Sequence, residues 1–155
     1  MKEFIQSVTV VLAVLVMFAS CAKSTAETFG VNDIYLKITE SAAMPAETVE
    51  LAADDLTDYY GIEVDKVSEF AAVQDACGYK DEIVIIKADD NTAAKEIEAL
   101  FNDHVEYQKN SMKNYDPEQY KILGSSEVIV NGDYVAMFIS GEQGTMAEIF
   151  NGFFK

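Results

Sequence analysis

Apolar positions recur along this chain in two rhythms. Val31, Ile34 and Ile38 fall at helical spacing, and Asn32 and Asp33 suit a helix start. Met44-Pro45 breaks that helix. A second short helix is expected over Ala52 to Tyr60, stopped by Gly61, a residue suited to a left-handed cap. Val67 to Gln74 and Glu82 to Ala88 then read as strands. The continuous run Ile83-Val84-Ile85-Ile86 suits a strand covered on both faces. The loop Ala76 to Asp81 joins the two as a hairpin.

The longest periodic segment follows. Asn91 or Thr92 opens a helix reaching about Met112, with Ala94, Ile97, Phe101, Val105 and Gln108 on its inner stripe. Pro117 prevents its continuation. Lys121 to Val130 and Tyr134 to Ser140 read as a second strand pair around the tight-turn sequence Asn131-Gly132-Asp133. Gly141 to Gly144 turns the chain into a last helix carrying Met146, Ile149, Phe150 and Phe153 on one side. The expected order is α-α-β-β-α-β-β-α. That is an α+β fold: a mostly antiparallel sheet of about four strands, in two hairpins, with helices packed on it.

The amino-terminal pattern differs. Lys2 is followed by an apolar run from Val8 to Phe18, broken only by Thr9, and then by Ala19, Ser20 and Cys21. The run is short for a membrane span, which needs about 20 apolar residues. It suits a signal peptide. The segment Phe18-Ala19-Ser20-Cys21 resembles the lipobox of bacterial lipoproteins, although Phe18 stands where leucine is usual and Glu3 weakens the positive end. The resemblance implies lipid attachment to the Cys21 thiol and cleavage between Ser20 and Cys21. The expected organisation is a signal peptide over 1–20, a lipid-anchored tether over 21–30 and a single α+β domain over 31–155. Removing 20 of 155 residues leaves 155 − 20 = 135, which suits one domain.

Charge narrows the partners. There are 27 acidic residues against 11 basic ones, a formal net charge of −16, and every basic residue is lysine. Without arginine there is no planar two-pronged grip for phosphate or guanine. Nucleic acid and anionic head groups are repelled. The membrane is therefore expected to hold the protein through Cys21, and the domain itself to contact a protein or envelope component.

The segments Tyr60-Gly61-Ile62, Asp81-Glu82-Ile83, Tyr115-x-Pro117-Glu118-Gln119-Tyr120 and Gly132-x-Tyr134 resemble the family called domain of unknown function 4358. The likeness covers most of residues 33 to 140. It implies a small lipoprotein, and it brings no catalytic or binding role with it.

Candidate chemistry is sparse. His104 is the single histidine and sits at the border of the apolar face of the long helix. One histidine supplies little of a triad or a zinc site. Cys77 has no second cysteine to pair with once Cys21 is acylated. Asp89-Asp90-Asn91 begins like a calcium loop, but Ala94 stands where the glycine is required, so these residues are read as a helix cap. Asp54, Asp55 and Asp58 make an acidic helix face. Gly141-Glu142-Gln143-Gly144-Thr145 lies where phosphate loops occur, lacks the lysine, and is read as a turn capped by Thr145. Tyrosine offers stiff contact area with a polar tip, so Tyr107, Tyr115 and Tyr120 form the candidate contact surface.

These features give the following expectation: a membrane-anchored, extracytoplasmic, non-enzymatic binding or accessory module without metal or cofactor. The alternative is a small-ligand or cation-binding lipoprotein that delivers cargo to a membrane partner. A concave pocket lined by tyrosines and carboxylates favours the alternative, and a flat exposed aromatic patch favours the first. Two carboxylates facing each other across a cleft revive a hydrolase.

Overall fold

The computed structural model describes residues 29–77 and 81–155. Ser20, Cys21 and the rest of the expected signal peptide lie outside them, as do the last residues of the β2–β3 loop, 78–80. Helix α1 spans Val31–Ser41 and β1 spans Thr48–Glu50. Helix α2 spans Ala53–Tyr60, β2 spans Val67–Asp75 and β3 spans Glu82–Ala88. Helix α3 spans Asn91–Met112 and α4 spans Pro117–Gly124. Strands β4 (Glu127–Asn131) and β5 (Tyr134–Ile139) and helix α5 (Gln143–Gly152) complete the order. The fold is α+β, and every strand pairing is antiparallel.

Five strands, not four, make the sheet, in the order β1-β2-β3-β5-β4. The added strand β1 is three exposed residues pairing Thr48 with Asp75 at the edge. It is too short and too polar to show a period-two signal. The segment read as a strand from Lys121 also divides. Residues 117–124 are helical, and only Glu127–Asn131 is strand. Asp116 caps this helix by accepting from the Glu118 and Gln119 amides at 3.1 and 3.0 Å, with Pro117 in the first turn. Proline there stops α3 and starts α4, since its fixed φ and missing N–H both suit a first turn.

The sheet is covered on both faces. Val84, Ile86, Ala88, Val135, Met137 and Ile139 point to one side and meet α2, α3 and α4 through Leu56, Tyr60, Ile97, Phe101 and Leu123. Ile83, Ile85, Ala136 and Phe138 point to the other and meet α1 and α5 through Val31, Ile34, Ile38, Met146 and Phe150. Strand β3 is central, which explains its continuous apolar run.

The turns follow the sequence closely. Gly61 takes φ +71° and ends α2, and Gly132 takes φ +64° in the β4–β5 turn. Asp90 caps α3, accepting from Thr92 and Ala93 at 2.7 and 2.9 Å. Thr145 does not cap α5, because the helix begins two residues earlier. Ser140 holds that turn instead, its hydroxyl accepting from the Glu142 amide at 3.2 Å.

Phe29 fixes the start of the domain. Its ring lies within 5.1–5.4 Å of the rings of Tyr134, Phe153 and Phe154, and its carbonyl accepts from the Tyr134 hydroxyl at 2.9 Å. The chain therefore enters beside the β4–β5 turn.

Candidate functional site

Strand alternation dictates the site. Ile83 faces α1 and α5, so Glu82 faces the α2–α3 side together with Val84. This puts a carboxylate, 1% exposed, inside a largely apolar layer. A charge so placed needs several donors. Three neighbours supply them. The Tyr60 hydroxyl donates to Oε2 at 2.9 Å. His104 Nε2 lies 2.9 Å from the same oxygen and donates to it when the proton is on Nε2. The Gln108 amide donates to Oε1. Gln74, which sits opposite Glu82 in the β2–β3 register, donates to the Tyr60 oxygen at 3.3 Å.

Each partner is placed by its element. Tyr60 is the last residue of α2, and its ring packs edge-on against Phe101 at 5.6 Å and His104 at 4.7 Å. His104 and Gln108 are four apart on α3, hence on one helical face, and their nitrogens approach to 2.8 Å. Burial, followed by the charge of Glu82, raises the Tyr60 phenol above its ordinary value, so it stays a donor.

A groove of about 700 Å³ opens above this network, lined by Asp58, Tyr59, Gln74, Glu82, His104, Tyr107, Gln108, Ser111 and Met112. The Tyr107 ring is 74% exposed and Tyr59 50%. Ser111, the one hydroxyl-bearing aliphatic side chain in the lining, donates to the Tyr107 carbonyl at 3.0 Å.

The expected contact tyrosines separate. Tyr107 is in the groove. Tyr115, 85% exposed, sits between α3 and α4, and Tyr120 is half-buried on α4; neither lines the groove. Asp58 reaches the rim, whereas Asp55 accepts from the Ala52 amide at 2.7 Å at the start of α2. Cys77 is exposed, with its thiol 3.8 Å from a Glu47 oxygen. Among the described residues no group of three or more His, Cys, Asp or Glu side chains is placed to hold a metal ion, and no helix is long and apolar enough to cross a membrane.

Sequence reading overlooked Glu82 as a site residue. A signal was present: Gln108 on the inner stripe, with His104 one turn before it, requires a polar partner on the sheet.

A family model for a domain of unknown function (DUF4358) matches residues 41–140. The chain belongs to this family. No curated protein and no solved structure matches it. Two of the segments through which it resembles DUF4358, Tyr60-Gly61-Ile62 and Asp81-Glu82-Ile83, supply the hydroxyl and carboxylate that meet on the groove floor. The matched span also contains His104, Gln108 and both exposed groove tyrosines.

Proposed function

We propose that this DUF4358 protein is a membrane-tethered, non-enzymatic binding domain acting outside the cell, with the groove above Glu82 as its ligand seat. The observation that carries this reading is the pairing of a buried, triply hydrogen-bonded carboxylate with an open cavity walled by exposed tyrosines. A cavity of that size is in the range of small-ligand sites. Buried charge is costly to maintain, and a site that presents polar groups to a ligand gives a reason to keep it.

The described chain enters at one end of the sheet. Phe29 packs on Tyr134, which pairs with Lys87 near the end of β3. Glu82 begins the same strand, five residues away, or about 17 Å. A lipid at Cys21 would join the domain through the Phe29 end of the chain, and Glu82 lies at the opposite end of β3.

Non-enzymatic action is favoured by Glu82, whose carboxylate is buried and already engaged by Tyr60, His104 and Gln108, so that Asp58 and Glu82 are not a pair of free carboxylates. Exposed Tyr115 favours a second reading, in which the α3–α4 corner contacts a protein. The test is mass spectrometry of the full chain purified from its own membranes under native conditions. A small molecule that accompanies the wild type and is lost in Tyr107→Ala supports the ligand seat. A ligand retained in that variant argues against it.

A further inference from the structure

The lining of the groove specifies a charge. Its ionisable side chains are the Asp58 and Glu82 carboxylates, the His104 imidazole already engaged with Glu82, and the phenols of Tyr59 and Tyr107. No lysine lines it among the described residues. Glu82 is 1% exposed and its oxygens already accept from Tyr60, His104 and Gln108, so it acts on the groove through its charge and not as a free acceptor. Tyr59, Tyr107 and Met112 add apolar and π surface. Aromatic faces attract cations, and carboxylates nearby add to that attraction. The net charge of −16 works in the same direction, since the field around the chain draws cations and repels anions.

Accepting the groove as the ligand seat, we infer that its occupant is a small organic ammonium ion: a cationic nitrogen carried on an apolar carbon body. A bare metal ion leaves the ring and thioether surface unused, and the described residues offer no three-ligand cluster for one. A carboxylate or phosphate ligand meets two carboxylates and, among the described residues, no lysine in the lining. An organic ammonium uses both parts of the site, its nitrogen near Asp58 and Glu82 and its carbon against Tyr59, Tyr107 and Met112.

Three probes sharing one skeleton separate charge from shape: benzylammonium, benzyl alcohol and benzoate. The full-length chain, isotope-labelled in non-ionic detergent, is titrated with each and followed by amide NMR. Benzylammonium is expected to shift the Tyr59, Tyr107 and Gln108 resonances saturably, while the other two leave them in place. Tyr107→Ala and Asp58→Asn, both at exposed positions and so neutral to folding, should each weaken benzylammonium binding about three- to fivefold. Equal shifts from benzyl alcohol or benzoate overturn the ammonium assignment and leave the groove standing as a binding site. Benzylammonium shifts spread over the acidic surface and unchanged in Tyr107→Ala overturn it as well. Silence from all three probes does the same, and the native-purification result then decides separately whether the groove is a ligand seat.

Discussion

The Glu82 carboxylate and the His104 imidazole meet at 2.9 Å across the seam between β3 and α3. Neither residue belongs in an apolar layer alone. Together with Tyr60 and Gln108 they form a network in which three donors meet the two oxygens of Glu82. Removing one member leaves the others short. His104→Ala is expected to destabilise the fold by about 1–3 kcal/mol, because a buried carboxylate loses a donor. Thermal unfolding of the full chain in non-ionic detergent checks this. An unchanged melting temperature means that the contact does not hold the seam.

Tyr60 gives the network a pH signature. Burial first, and then the Glu82 charge, push its phenol well above the ordinary value of 10.0. The sign follows from linkage. A group whose folded pKa is raised contributes stability that is fully present below the unfolded value, near 10, and is lost as pH rises beyond it. Unfolded Tyr60 releases its proton there, and folded Tyr60 retains it. Between about pH 10 and 11.5 the wild type should lose stability faster than Tyr60→Phe, at a rate that rises toward about 1.4 kcal/mol per pH unit. Urea unfolding of both chains across that range provides the comparison, and parallel slopes would contradict the assignment.

Phe101 anchors the same helix from the apolar side. Its ring is fully buried and packs edge-on against Tyr60. Phe101→Ala should cost about 3–5 kcal/mol. A loss below 1 kcal/mol by urea titration would mean that α3 is not the organising helix of this layer.

Helix α3 was legible because 22 residues give the 3.6 period room to repeat. The α1 face, the continuous β3 run and the two turn glycines were legible for equally local reasons. Helix α4 was not, since Pro117 reads as a stop when the chain is followed from α3 and as a start only when Asp116 is recognised as a cap. The groove was hidden by distance. Tyr60 and His104 each lie 22 residues from Glu82, and Gln108 lies 26 away. Nothing local in Asp81-Glu82-Ile83 tells which face of β3 the acid takes. That depends on the pairing register and on which helix covers each face, both properties of the assembled sheet.

The tether makes its own prediction. Phe18-Ala19-Ser20-Cys21 follows an apolar run as a lipobox does. Mature protein is expected to begin at an acylated Cys21, and Cys21→Ser should release or misprocess it. Mass analysis of the amino terminus decides the point: an unmodified residue other than Cys21 at that end rules out the anchor.

With the groove as the proposed ligand seat, Tyr107 and not Tyr115 lies against the ligand. Tyr107 and Tyr115 are 74% and 85% exposed, and only Tyr107 lines the groove. A decisive experiment replaces each in turn with the photo-crosslinking residue benzoylphenylalanine, irradiates the full chain in its own cells, and weighs the intact protein. A discrete mass adduct is expected from position 107 and none from position 115. An adduct from 115 alone, or equal adducts from both, contradicts that placement.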